Sequence, residues 1–559
     1  MTRKTLLVGW DSVCWEYVNP LLERGELPNL QRLIESGCHG LLQSTIPPIT
    51  PAAWSSIITG KLPQKHGVYD WVWDAGGHLR VASSTDLTGT PFWRRLNVQG
   101  IRVGLVNIPL TYPATPLDGF VVAGFGAPQP PAELTYPVSL LGEIEARYGD
   151  YTPALRPEHV WDLQRSGDQR ALYAAETRVQ AMHVQAALYA AKKFDVGVLA
   201  INMMLFDHTN HHSPSFELVE SSLRETDRQL GLLLDGFDPG DVLLISDHGA
   251  RRFKGLFLLG DWLSERGYLV RKRLHGQTVQ ELNYLVLQYL TRGLGIRGST
   301  EKLLRAALRN TVPHVPGAIA GAFWRSVKDR VPGAYDAYWF DPAETDGDSS
   351  LISRALNAGT IYLNINSSSS WLGRNRDQVS LALVEELRAV RDPETSQPLF
   401  RRIFESSELY GPNPPGNPPD LFVDYYDSEF GLRTAMGTGL QLRYPHFAYL
   451  ADNPQVALTQ YGDHAHDGVH VFSGSSFRRG VSSDPGHVVD IPATLLYLHR
   501  VPIPDDFDGH PLASALTEHY PVLSQPGDAI STHEGQGREY GELEGEQVLS
   551  HLRALGYVD

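Results

Sequence analysis

The sequence predicts an α/β protein: a doubly wound, mainly parallel sheet flanked by helices, with an insertion between two parts of the core. Three observations predict it. Short continuous apolar runs recur at Lys4 to Gly9, Arg102 to Asn107, Asp195 to Leu205 and Asp241 to Ser246, as in parallel strands buried on both faces. Helical periodicity fills the intervals, at Leu27 to Gly37, Asp168 to Lys193 and Phe216 to Leu234. Several of the apolar runs stop at an Asp, the place where open α/β sheets hold ligands.

A chain of 559 residues builds a sizeable core, as one large α/β domain with an insertion or as two to three domains. Its 48 Lys and Arg against 64 Asp and Glu give a net charge of −16. That balance disfavours nucleic acid or an anionic membrane as the main partner, while phosphate bound through metal ions stays possible. Two cysteines, Cys14 and Cys38, exclude a disulfide framework and a four-cysteine zinc site. The opening MTRKTLLVGWDSV has too short an apolar run for a signal peptide, and no later run is long enough to span a bilayer, so a cytoplasmic location is expected.

In chain order, the first strand delivers Asp11 to a loop. Leu27 to Gly37 is a helix with Gly37 as its stop, and Gly40 to Ser44 is the next strand. In PPITPAAWSSIITG, Pro47 to Gly60, a loop turns into a helix that Gly60 ends, and Thr50 falls at or just before the N-cap. A threonine there either caps the helix or, facing the positive end of the dipole and free N–H groups, serves as a nucleophile toward phosphate. The strand Asp195 to Leu205 leads into a polar, ligand-rich stretch, DHTNHH, and the strand Asp241 to Ser246 ends in Asp247-His248-Gly249. From 251 to 419 the order loosens into basic helical pieces around Arg271 to Arg309, the aromatic segment AYDAYWFDP and a serine run, Ser367 to Ser370. This region reads as a cap over the site. The core, 1–250, resumes over 420–515, with Asp420 to Val423 as a strand, then GDHAHDGVHVFSG and a helix from Val488 to Leu498. A polar tail, 516–559, is expected to be mobile from Ser524 to Glu544 and to end in a short helix, Gln547 to Leu555.

Asp11, Asp207 with His211, Asp247 with His248, and His464 are thus offered by four strand ends that one sheet can bring together. Six nitrogen and oxygen ligands without cysteine suit two divalent cations, zinc first and manganese as the alternative. Two such ions roughly 4 Å apart clamp the attacking and leaving oxygens of phosphoryl transfer. Cys14 reads as a buried small hydrophobe, and Cys38 and His39 as packing or turn residues.

These segments resemble the alkaline phosphatase superfamily and, within it, the type I phosphodiesterase/nucleotide pyrophosphatase family. The resemblance is carried by LLVGWD, LPNLQRLIESG, PPITPAAWSSIITGKLPQKHGVYDW, VNIPLTYP, the Asp207 and His211 pair, ISDHGA, FLLGDWLSERGYL, GTIYLNIN, PPDLFVDYY, GDHAHDGVHVFSG and VPIPDDFDGHPL. It implies an alkaline-phosphatase-like fold in which Asp207, His211 and His464 hold one metal and Asp11, Asp247 and His248 the other. It also implies that Thr50 is the nucleophile beside the second ion. His466 competes with His464, which is preferred because the family's ligand lies three residues before an Asp-Gly pair, here Asp467-Gly468. One departure concerns the substrate: Trp71 stands where nucleotide pyrophosphatases carry an Asn that holds a phosphate oxygen, and Arg251 or Arg252 is a possible substitute. The expected activity is hydrolysis of a small-molecule phosphate ester through a phosphothreonine. The alternatives are a phosphotransferase or mutase of the same superfamily, or a non-catalytic metal-bound scaffold.

Overall fold

The structure, a computed structural model, describes all residues except 1–3, 75–78, 129–132, 270–338, 341–349, 365–375, 435, 438, 439, 441, 454–460, 528–538, 556, 558 and 559. Thr5–Trp10, TLLVGW, is buried at every position. An apolar run with no exposed face belongs inside a sheet, and this strand pairs in parallel with Val198–Met203 on one side and Asp241–Ile245 on the other. Val103–Val106 and Gly119–Val122 continue the parallel part outward. Beyond Asp241–Ile245 the sheet turns antiparallel, through Asp467–Gly474 and then Gly37–Gln43. Short strands, Val481–Ser482, Gly486–His487 and Thr135–Tyr136, complete a ten-stranded, mostly parallel sheet.

Successive side chains of a strand point to opposite faces, and here they enter two cores. Leu7 and Leu243 join Trp54, Ile57 and Leu495 on one face, whereas Leu6, Val8 and Leu244 join Val184, Leu223 and Leu230 on the other. The first face is thereby covered by the helices Thr50–Thr59 and Asp490–Leu498, the second by Gln169–Phe194 and Phe216–Phe237. The two long helices begin at side-chain caps: Asp168 accepts from the Ala171 N–H and Ser215 from the Leu218 N–H.

A smaller four-stranded antiparallel sheet runs in the order Ile352–Ala355, Thr360–Leu363, Leu421–Asp424 and Arg402–Glu405. Its apolar residues share a core with Ile49 and Ala52 beside Thr50, so this unit packs against the start of the Thr50 helix. The strand expected at Asp420 to Val423 forms here, and the chain returns to the ten-stranded sheet only at Asp467. The expected helical pieces at Arg271 to Arg309, the serine run and most of AYDAYWFDP lie outside the described residues.

The tail differs from expectation. Ser524–Gln525 pairs with Ile503–Pro504, while 528–538 lies outside the described residues. The last helix starts earlier than expected, at Glu542, and runs to Ala554. Val548, Leu552 and Leu555 recur at helical spacing and are buried in the same core as Trp71 and Phe125. Among the described residues no helix is long and apolar enough to cross a membrane.

Candidate metal and phosphoryl-transfer site

Thr50 is the first residue of its helix, with Ile49 at the N-cap position, and its hydroxyl caps nothing. The capping alternative is therefore not what the side chain does. Pro51 occupies the first turn, where its missing N–H costs no hydrogen bond. Thr50 Oγ1 instead lies 3.0 Å from Nε2 of His248, and the whole helix is buried.

Asp11 follows the central strand, where its N–H donates to Met203 O and Asn202 Nδ2 donates to its Oδ2 at 2.9 Å. Asp247 and His248 follow the adjacent strand, Asp241–Ile245. The polar, ligand-rich stretch DHTNHH lies in a helix, Leu205–His212. Its 3.6-residue period sets Asp207 and His211 on one face, with His211 Nε2 3.3 Å from Asp207 Oδ1. His208 and His212 turn to other partners, Glu176 at 3.0 Å and Gln164 at 3.1 Å. His464 lies in a two-stranded ladder, Gly462–Ala465 against Gly249–Arg252, rather than at an end of the central sheet. That ladder carries it back to within 3.1 Å, Nε2 to Nε2, of His211.

Two triads result: Asp207, His211 and His464, and Asp11, Asp247 and His248. All six residues and Thr50 are nearly inaccessible to solvent. Around a tetrahedral ion with bonds of about 2.05 Å, neighbouring ligand atoms are about 3.3 Å apart. In the Asp207 triad the corresponding edges are 3.1, 3.3 and 3.8 Å. Around His248 Nε2 they are 3.0 Å to Thr50, 3.3 Å to Asp247 and 3.7 Å to Asp11. Among the described residues, Asp11 Oδ1 and both Asp247 oxygens are buried without a hydrogen bond of normal geometry, which costs each of them about 1–3 kcal/mol or more unless a cation meets them. The donor set thus fits divalent cations in both places. The rings of His248 and His464 are 4.1 Å apart, centroid to centroid, so the two places adjoin.

The electrostatics agree. Burial, then Asp247 and Asp207, raise the pKa of Asp11 well above the usual carboxylate range. Burial also raises Asp247, against the opposing pull of His248. For Asp207 the opposition of burial is outweighed by His211 and His464, which hold it low, and burial, then His248 and His211, push His464 well down toward the neutral, ligating form. Bound cations would supply the countercharge that lets three carboxylates ionise side by side. His248 Nδ1 faces Gly249 O at 3.1 Å; donation there leaves Nε2 free to ligate.

Two residues that donate to Asp207 escaped the sequence reading. Ser12, held at φ 66°, donates to Asp207 Oδ1 at 2.5 Å and lies 3.2 Å from His248 Nδ1, so it ties the triads together. Its signal was its place directly after Asp11. Tyr557, just beyond the last helix, donates to Asp207 Oδ2 at 2.5 Å, and nothing local in sequence announces that contact. The candidates set aside have other duties. His466 pairs with Asp424 at 2.9 Å. Arg251 donates to the carbonyls of His464 and Ser428, and Arg252 to that of Ser213. Cys14 lies 3.6 Å from Ala250 O, and burial raises its thiol pKa.

A pocket opens beside His211 and His464, lined by Asp70, Trp71, Asn357, Tyr425 and Tyr557. Asn357 Oδ1 accepts from both the N–H and the hydroxyl of Thr434, at 3.2 Å each. That fixes which way the amide faces. Among the described residues its buried Nδ2 has no partner.

Fold and site together define a metal-dependent phosphoryl hydrolase of the alkaline phosphatase superfamily. The model of the family described as type I phosphodiesterase / nucleotide pyrophosphatase matches residues 5–314, more than half of the chain, and the chain belongs to that family. It is a hydrolase acting on phosphate ester bonds, and its family implies divalent metal ions. Among solved structures the chain is similar to a substituted form of alkaline phosphatase PafA, at 14% identity and a TM-score of 0.51 over 92% of this chain and 99% of that one. Human ectonucleotide pyrophosphatase / phosphodiesterase 5 aligns at 12% identity and a TM-score of 0.47, covering 94% of this chain and 97% of that chain. Phosphonoacetate hydrolase from Sinorhizobium meliloti aligns at 13% and 0.49, covering 89% and 96%. No curated protein matches the chain.

Proposed function

We propose that the chain hydrolyses a small-molecule phosphate ester through a covalent phosphothreonine on Thr50, using two divalent cations, zinc first and manganese as the alternative. The observation that carries the reading is the placement of Thr50 Oγ1, buried at a helix start, 3.0 Å from the ligand nitrogen of one complete triad with the second triad adjoining it. Bound cations would neutralise the phosphoryl oxygens and lower the pKa values of the threonine hydroxyl and of an attacking water. Thr50 Oγ attacks phosphorus in line; the Oγ–P bond forms, the ester P–O bond breaks and the leaving alkoxide takes a proton. Water then attacks the phosphothreonine from the opposite side, releasing phosphate or a phosphomonoester and restoring Thr50. The free N–H groups of the helix start favour the negative charge of the phosphoryl group. Asn357 Nδ2, unpartnered at the pocket wall, is the proposed donor to a non-bridging phosphate oxygen, where Trp71 supplies no amide.

The ester is proposed to be a phosphodiester or phosphonate ester rather than a nucleoside triphosphate or pyrophosphate. Trp71 and Tyr425 give the pocket an apolar, aromatic wall, which suits an organic group better than a polyphosphate. The test compares kcat/KM for bis-p-nitrophenyl phosphate, p-nitrophenyl phosphate, a phosphonate ester, ATP and a dinucleoside polyphosphate, each with zinc and with manganese. The highest value is expected for the diester or phosphonate; a preference for ATP or the dinucleotide overturns the substrate assignment. For the mechanism, hydrolysis of a chiral phosphorothioate diester in labelled water is expected to proceed with retention at phosphorus, and inversion would assign the attack to water.

A further inference from the structure

One side chain outside both triads touches every member of one of them. The Tyr557 hydroxyl donates to Asp207 Oδ2 at 2.5 Å. Its ring lies over His464, with centroids 6.0 Å apart and planes at 27°, and meets His211 edge-on at 5.3 Å. The other Asp207 oxygen, Oδ1, accepts from Ser12 and is the one that faces the nitrogens of His211 and His464.

We propose that Tyr557 is a positioning residue for the Asp207–His211–His464 triad, its phenol O–H holding Asp207 Oδ2 so that Oδ1 alone faces the two imidazoles. The idea rests on the ligand roles assigned above. The terminal torsion of an Asp is broad, and a carboxylate free to turn presents either oxygen, or both, to a cation. A donor on each oxygen removes that freedom before the ion arrives, which is how groups behind a ligand raise its affinity. Tyr557 is itself held firmly. Its N–H donates to Leu552 O at 3.0 Å, Val548, Leu552 and Leu555 before it are buried, and Gln164 Nε2 donates to Ala554 O at 3.4 Å. Phe125 and Trp71 also lie against its ring, with centroids 5.7 and 6.5 Å away. The helix Glu542–Ala554 is thus a strap that brings a donor to Asp207, 350 positions earlier in the sequence.

The test is metal affinity, measured on the full chain freed of metal and titrated with Zn2+ against a chromophoric chelator. Tyr557→Phe keeps the ring and removes only the donor; it is expected to weaken one of the two sites about 10-fold or more while the other keeps its affinity. His464→Ala identifies the weakened site, because it abolishes the same binding step. Tyr540→Phe is the control: its hydroxyl donates to Gly126 O at 2.8 Å in the same tail, away from the triads, and both affinities are expected to stay unchanged. At saturating Zn2+ the Tyr557→Phe enzyme is expected to recover kcat to within a few-fold, with its deficit confined to low metal. Wild-type affinity in Tyr557→Phe, equal weakening by Tyr540→Phe, or a rise in turnover on losing the hydroxyl each overturns the proposal. Two bound ions with no ester hydrolysed by the wild type would instead overturn the proposed function and leave the role of Tyr557 standing.

Discussion

Asp11, Asp247 and His248 stand at the ends of two neighbouring strands in the middle of the ten-stranded sheet, whereas Asp207, His211 and His464 are gathered from a helix and a two-stranded ladder. The first triad has two carboxylates and one imidazole, and Thr50 beside it. The second has one carboxylate, two imidazoles and an external brace, Tyr557. More carboxylate suits a harder ion and more imidazole suits zinc. Position in the sheet adds to the contrast: the first triad moves only if the central strands separate, while the second depends on three segments docking separately. Catalysis and metal retention are therefore expected to fail in different ways when each is perturbed.

The largest expected effect is on the Thr50 side. Thr50→Ala is expected to lower hydrolysis of the best ester by about three orders of magnitude or more, with both ions retained, whereas Thr50→Ser keeps a measurable fraction. Steady-state rates together with metal content measured by atomic emission check this. Near-normal turnover in a folded Thr50→Ala protein would reduce Thr50 to a helix start. Next come the ligands themselves: Asp247→Ala and His464→Ala are each expected to lose one ion of two. A chelator is expected to strip the His464 ion from the wild type first, because its triad carries less negative charge and is assembled from more distant parts. Loss of the other ion first would reverse the comparison.

The same contrast explains what the sequence made legible. Asp11, Asp247 and His248 follow apolar runs that are strands for a local reason, burial on both faces, so their convergence could be anticipated from the α/β pattern. Asp207 and His211 were legible as candidate ligands, but not the helix that holds them, because polar composition hides a helix whose exposure is decided by tertiary packing. Here all eight residues of Leu205–His212 are buried. His464 was legible through its resemblance to a family motif, not through strand-end position. Tyr557 was illegible, since the acidic and Gly-rich residues ahead of it suggest a solvated tail and only the packing of Val548 and Leu552 on the distant core reveals its place.

A third test uses protons. Asp11 and Asp247 have folded pKa values above their unfolded ones, so between the two values the metal-free folded state binds more protons than the unfolded state. The stability these two groups contribute therefore falls as pH rises from about 4 through the folded values. A cation reverses the sign by favouring ionised carboxylates. Metal-free protein is expected to fall further behind the Zn2+-loaded protein in Tm as pH rises from 5 to 8, and protein with Zn2+ at about a thousand times its Kd to be about 4 kcal/mol more stable at pH 8. Differential scanning calorimetry with and without chelator checks both, and parallel pH profiles would deny that the carboxylates are the groups the cation relieves.

The smallest effect separates the triads from the pocket beside them. Asp70 is 5% exposed and lines that pocket with Trp71 and Tyr557, but it belongs to neither triad. Burial raises its pKa to about 7, against the opposing hydrogen bond from the Trp71 N–H, which donates to Oδ1 at 2.6 Å. The folded state keeps this proton up to about pH 7, and the unfolded state releases it near the ordinary carboxylate value of 3.8. Stability is thus lost as pH climbs across that window and stays reduced above it. Asp70→Asn retains a carbonyl oxygen for the Trp71 N–H and cannot ionise. It is expected to match the wild type near pH 4 and to exceed it by a few kcal/mol at most at pH 8, since each tenfold difference in proton affinity between folded and unfolded states is worth about 1.4 kcal/mol. Denaturant unfolding at the two pH values, with metal saturating so that the triads stay silent, measures the difference. A gain that is the same at both would mean that the folded and unfolded states hold this proton equally, so that burial does not raise the Asp70 pKa.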